Sequence, residues 1–221
     1  MPESPYPIAS MFRRIRRAVA IYPKATLFDL KDRGHATLFE QLVACILSIR
    51  TYDEVSLVAS LALFRKARDA SALSKLSVEE IDELIRPVTF HGQKARTLLS
   101  IAEEVQKRFQ GNLPPDDEVL QSLKGVGPKC AHLALGIAAG LPFIGVDIHV
   151  HRVTNRWGYV QTASPEKTMR QLEGRLPKSR WIEINELLVP FGKHICVGQR
   201  PFCSRCPVLE ECRRVGVRHP R

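Results

Sequence analysis

Three groups of residues in this chain have the types and spacing to do chemistry. The first is Leu123-Lys124-Gly125-Val126-Gly127-Pro128-Lys129. Its two glycines let the backbone turn tightly and approach a neighbour closely. Pro128 suits the first position of a following helix, where its missing N–H costs nothing. The N–H groups and positive dipole end at such a helix start form an anion site, and a DNA phosphate is one suitable anion. The same residues would equally make a plain helix–helix turn. They are no dinucleotide fingerprint, because Cys130 stands where a third glycine would be and no strand precedes them. Lys129 falls in the first turn of the new helix. The positive dipole end disfavours an ammonium there, and a neutral lysine amine is a nucleophile that forms Schiff bases.

The second group is Val146-Asp147-Ile148-His149-Val150-His151-Arg152-Val153. Asp147 is either a helix N-cap or a working acid/base, and it can be both, since a cap uses one oxygen and leaves the other. His149 reads as a hydrogen-bonded histidine on an apolar face. The third group is Cys196-x6-Cys203-x2-Cys206-x5-Cys212. Four thiolates that close hold one metal centre, either zinc or an iron–sulfur cluster. Arg200, Arg205, Arg213 and Arg214 surround them, and arginine on a rigid loop is suited to phosphate contacts.

The elements that must position these groups read as helices. Leu38, Phe39, Leu42, Val43, Cys45, Ile46, Leu47 and Ile49 are apolar on several faces, which is the pattern of a helix buried nearly all round. Ser77 and Glu80 form a capping box for a helix from Val78, whose stripe is Ile81, Leu84 and Ile85 and whose end is marked by Pro87. A further helix spans Lys94 to Phe109. Asn112 to Asp116 is a loop, and shorter helices cover 118–123, 129–139, 166–175 and 181–191. No run of strict alternation and no repeat is found, so the chain reads as all-α.

The charge is 33 basic minus 23 acidic residues, +10, and the pI is about 9.6. That points to a polyanionic partner, with nucleic acid the first candidate. With 44% hydrophobic and 25% charged residues, whole-chain disorder is excluded. The longest apolar stretch, Ala131 to Val146, is broken by His132, three glycines and Pro142, too short for a membrane span. The apolar run after Arg13, Arg14, Arg16 and Arg17 is too short for a signal peptide. A reducing bacterial cytoplasm is therefore expected, where clustered cysteines are metal ligands rather than disulfides.

In this order and spacing the three groups resemble the endonuclease III family of DNA glycosylases, in the helix-hairpin-helix superfamily, from about Phe12 to Cys212. The resemblance implies a two-domain all-α fold. A six-helix barrel with the helix-hairpin-helix would cover residues 31–141, and a discontinuous domain of 1–30 and 142–221 would carry a [4Fe–4S] cluster on Cys196, Cys203, Cys206 and Cys212. It further implies Lys129 and Asp147 as catalytic residues facing each other across a cleft. The partner would be double-stranded DNA with a damaged base or an abasic site, bound by a monomer. Lys124, Gly125, Val126 and Gly127 of the hairpin would hold backbone phosphate, as would Arg200 and Arg205 of the cysteine loop. The activity implied is base-excision repair. A bifunctional glycosylase would remove oxidised or saturated pyrimidines and then cut the strand by β-elimination through a Lys129 Schiff base. The alternative is a DNA-binding protein of the same fold with weak or no glycosylase activity.

Some positions depart from the family pattern. Where the family has Leu-Ser-x-Gln-x-x-Asp, this chain has Leu47-Ser-Ile-Arg-Thr-Tyr-Asp53, so Arg50 stands at the residue that fills the gap left by a flipped base. Thr89-Phe90-His91 replaces the opposite Gly-Leu-Tyr-type loop, with Phe90 a candidate wedge and His91 beside it. Lys124 stands where the hairpin usually has proline. His149 lies next to the catalytic segment and is assigned with these residues to the DNA-contacting set.

Overall fold

The computed structural model describes residues 6–221, and every regular element among them is helical. The residues before Tyr6, which open the expected 1–30 segment, lie outside the described part. The chain divides into two units. One is the continuous segment Thr26–Phe143, and the other joins residues up to Ala25 with Ile144–Arg221.

The continuous unit contains α2 (Thr26–Asp32), α3 (Leu38–Ser48), α4 (Asp53–Lys66), α5 (Ala70–Leu73), α6 (Val78–Leu84), α7 (His91–Phe109), α8 (Asp117–Ser122) and α9 (Pro128–Ala139). At its centre is α3, with every residue from Phe39 to Leu47 buried. Its all-round apolar pattern is thus the pattern of a core helix. Thr37 starts it with a capping box closed by Glu40, and Glu40 also receives hydrogen bonds from His35 and Arg68. Burial alone would push the Glu40 carboxyl up, but these donors hold it below its ordinary value. Helix α9 packs along α3, with Cys45 and Cys130 meeting Sγ to Sγ at 2.7 Å.

The Ser77–Glu80 box forms as expected: Ser77 Oγ accepts from the Glu80 N–H at 3.1 Å, and Glu80 returns an acceptor to the Ser77 N–H at 2.8 Å. Helix α7 begins three residues earlier than its apolar stripe suggested, at His91. Phe90 before it is left-handed, with φ of 59°. Helix α4 has no clean apolar stripe because it buries Ser56, Ala59 and Ser60 beside Leu63 and Phe64.

The discontinuous unit packs α1 (Ile8–Val19), α10 (Ile148–Trp157), α11 (Pro165–Arg175) and α12 (Glu183–His194). Its core holds Met11, Phe12 and Ile15 of α1, Trp157 of α10, and Leu188 and Phe191 of α12. Helix α12 runs to His194, past the expected end at Phe191, and carries Pro190 inside it. After α12 the chain is irregular apart from one 3₁₀ turn, Cys203–Arg205. No helix among the described residues is long and apolar enough to cross a membrane.

Candidate functional site

Helix α8 starts on Asp116, whose carboxylate accepts from the Val119 N–H, and ends at Leu123. The turn that follows is held by Val126 N–H donating to Leu123 O at 3.1 Å, with Val126 buried and Lys124, Gly125 and Gly127 exposed. Gly125 has φ of +87°, and a Cβ there would stand 2.9 Å from Thr97 Cγ2. Both strain and space demand glycine. Gly127 is the N-cap of α9 and brings no side-chain oxygen to its first turn. The hairpin therefore presents backbone, a helix N-terminus and the Lys124 side chain at one exposed turn.

Changing Gly125 to Ala is expected to cost about 1–2 kcal/mol from the left-handed backbone alone. That corresponds to a fall in thermal midpoint of about 2–8 °C for a chain of this size. Thr97→Ala in the same chain should recover the steric part of the loss and none of the backbone part.

Lys129 is half-buried at the second position of α9. Its side chain lies over the Cys45–Cys130 pair and hydrogen-bonds to Cys45. The hydrogen bond from Cys130 is the chief cause that brings the Cys45 thiol down to about 7, with Lys129 adding to it. The partner thiol, Cys130, is driven up by that same contact and by burial. Lys94 of α7 is the other cation of this neighbourhood. Burial first, and the charge of Lys129 after it, bring Lys94 down to about 8. Sequence reasoning passed over Lys94, because a single lysine at the start of a helix ordinarily reads as surface charge.

Asp147 is the N-cap of α10. One oxygen, Oδ1, accepts from both the His149 N–H at 3.0 Å and the Val150 N–H at 2.8 Å. Both cap bonds use that one atom, so Oδ2 stays outside the cap. Ile148 beside it is 65% exposed, so the cap sits at the surface of its unit. His149 turns inward instead. Its Nδ1 accepts from Arg152 Nη2 at 3.1 Å, and a Cβ on Gly192 would come within 2.7 Å of that nitrogen. Gly192 is the close approach that admits the ring.

Arg50 and Phe90 share one surface of the continuous unit. Arg50 is exposed with φ of 55°, and its guanidinium carbon lies 6.0 Å from the Phe90 ring centroid. Phe90 is 55% exposed. His91 does not share that freedom, since its Nδ1 is 2.6 Å from Asp82 Oδ1 on α6.

Cys196, Cys203, Cys206 and Cys212 line one pocket, backed by Trp157 and Phe191. Among the described residues no three Cys, His, Asp or Glu converge as the ligands of a single ion do. Burial pushes the Cys206 thiol up to about 12 and also raises Cys203 and Cys212, with neighbouring sulfurs adding to the effect. Thiols so placed ionise only against a strong positive charge. Arg156 of α10 donates to the carbonyls of Cys196 and Val197 and reaches Cys196 Sγ at 3.4 Å. Arg152, one turn earlier, donates to the Cys196 carbonyl. The spacing of four between these arginines, which puts both on one helix face, is the sequence signal for their role. A second recess beside the loop is lined by Arg156, Arg200, Arg218 and His219. Arg200 is exposed there with φ of 46°, while Arg205 stacks its guanidinium 3.9 Å over the Phe202 ring.

Comparison with known proteins converges on one group. The model of the HhH-GPD superfamily base excision DNA repair proteins matches residues 43–178. Endonuclease III of Thermotoga maritima is 37% identical over 174 residues, which is 79% of this chain and 82% of that protein. Endonuclease III-like protein 1 of Bos taurus is 38% identical over 81% of this chain and 60% of its own length. Endonuclease III homolog 1 of Arabidopsis thaliana is 40% identical over 79% and 48%. The chain thus spans most of the bacterial relative and about half to three-fifths of these two eukaryotic ones. Among solved structures, a non-covalent endonuclease III–DNA complex aligns with a TM-score of 0.81 at 28% identity over 94% of both chains. A trapped covalent endonuclease III–DNA intermediate aligns at 0.79 and 27% over the same shares.

Proposed function

This chain belongs to the HhH-GPD superfamily of base excision DNA repair proteins, and from that premise we propose that it is a bifunctional DNA glycosylase and abasic-site lyase. Its substrates are oxidised or saturated pyrimidines in duplex DNA. The observation that carries this reading is the seat of Lys129. An amine half-buried in the first turn of the helix that follows the hairpin stands beside the backbone N–H groups offered to phosphate, where a Schiff-base nucleophile is needed.

In this reading the damaged nucleotide turns out of the duplex, because its sugar carbon is out of reach inside the stack. Arg50 fills the gap left behind and Phe90 acts as the wedge. The neutral Nζ of Lys129 bonds to C1′ while the C1′–N bond breaks, and that electron pair leaves with the base. Asp147, with Oδ2 outside its cap, stabilises the positive charge that grows on the sugar or takes the proton from the amine. Opening of the sugar ring gives the Schiff base. Loss of a C2′ proton then breaks the C3′–O bond, and the electron pair leaves with the 3′ phosphate. Lys124 and the hairpin N–H groups hold one stretch of backbone, and the recess around Arg200 holds another.

Cys196, Cys203, Cys206 and Cys212 fit a [4Fe–4S] cluster, since all four are thiols and all four line one pocket. Bound there, it supplies charge that lets the thiolates form and a cross-link that fixes the C-terminal loop. A cytoplasmic setting follows from thiols that must stay reduced.

The test is a single-turnover assay on a duplex carrying one saturated pyrimidine. Release of the base together with a nick on its 3′ side supports the reading. Tight binding of that duplex with neither base release nor nicking makes the chain a non-catalytic member of its family.

A further inference from the structure

Lys94 is only 7% exposed, and its ammonium makes three hydrogen bonds. It donates to Leu47 O at 2.9 Å, to Ile49 O at 2.7 Å and to Thr51 Oγ1 at 3.3 Å. None of these acceptors is a carboxylate. A buried cation hydrogen-bonded only to neutral acceptors is costly, and the nearby Cys130 thiol and Lys129 act on it in opposite directions. The three acceptors bracket one residue, Arg50.

The network continues across a second turn. Thr51 Oγ1 accepts from the Thr89 N–H at 3.3 Å, and Thr89 precedes Phe90. Lys94 and Thr51 therefore fasten two separate turns to each other and to the start of α7. Each turn has a left-handed, non-glycine residue at its apex, Arg50 at φ 55° and Phe90 at φ 59°. Such a conformation is strained in a non-glycine residue and persists only where the surroundings over-determine it. Here the surroundings are the Lys94 clamp, the Thr51 bridge and the contact of the Arg50 guanidinium with the Phe90 ring.

We propose that Lys94 is a positioning residue for base excision, which through Thr51 sets Arg50 and Phe90 as one rigid pair facing the site of the everted base. This rests on the gap-filling and wedge roles given to Arg50 and Phe90 above. The pair is needed where a base must be turned out of the stack. It matters less at an abasic site, where no base has to be unstacked. Lys94 thus acts on base release more than on the lyase chemistry of Lys129.

Two rates compared across variants test this: single-turnover base release from a saturated-pyrimidine duplex, and borohydride trapping on an abasic duplex. Thr51→Val keeps the Lys94 charge and removes only the bridge between turns, and Thr51 is partly exposed, so the fold should survive. In Lys94→Met and Thr51→Val, base release should fall about 10–100-fold relative to trapping, the scale on which misplacement acts. Lys94→Arg, which retains charge and donors, should recover part of that ratio. Thermal midpoints identify any variant that fails to fold, and Thr51→Val then decides alone. An unchanged ratio in Thr51→Val overturns the proposal, whether both rates fall together or neither falls. Arg50→Ala is run beside them. If it alone lowers the ratio, the gap-filling role stands and the clamp fails. If it leaves the ratio unchanged, the gap-filling role fails and the clamp with it.

Discussion

Asp147→Asn is expected to lower base release by about 10²–10⁴-fold, the range for loss of a positioned acid/base group, while leaving the fold and duplex affinity in place. The separation of effects comes from the cap. Both cap bonds of α10 end on Oδ1, and an asparagine oxygen accepts them equally well. What Asn lacks is the negative charge and the basic second oxygen. Asp147→Ala removes the cap as well, and should add about 1 kcal/mol of destabilisation. A thermal midpoint that is unchanged in Asn and lowered in Ala, with excision lost in both, separates chemistry from structure. Excision at the parental rate in Asp147→Asn would reduce Asp147 to a cap.

The second large effect concerns the cysteine loop. Burial drives the Cys206 thiol up to about 12, so its ionised form depends on a bound positive centre. Cys206→Ser should give a colourless protein, where the parent chain is expected to be yellow-brown and to carry four irons. Residues 196–221 should become more open to proteases, because after α12 they hold one short 3₁₀ turn and neither a longer helix nor a strand. The basic recess formed by Arg156, Arg200 and Arg218 is built on that loop. Duplex affinity should therefore fall with it, and its dependence on salt should become shallower as phosphate contacts are lost. A colourless parent protein with one tightly held zinc per chain would contradict the cluster assignment.

Much of this was legible in the sequence, for reasons that differ by residue. The hairpin was legible because Gly125, Gly127 and Pro128 each answer a local backbone demand. The Ser77 box and the core helix α3 were legible because capping and all-round burial leave marks within one turn or one face. The left-handed apexes at Arg50 and Phe90 were not, since neither residue favours that conformation and only tertiary bonds impose it. Lys94 was invisible for the same reason: its acceptors lie more than 40 positions away in sequence. Helix α4 was missed because buried Ser56 and Ser60 interrupt the apolar stripe that pattern reading requires. His149 was legible as a hydrogen-bonded histidine, and its ring packs against Gly192 and bonds to Arg152.

The central claim is that Lys129 is the nucleophile. Borohydride added to the protein on a duplex with one abasic site should give a covalent protein–DNA adduct, and digestion followed by mass spectrometry should place the linkage on Lys129. Lys129→Ala should give none while still binding the duplex. An adduct that survives in Lys129→Ala, or its absence from folded, metal-loaded parent protein bound to the duplex, would contradict the account.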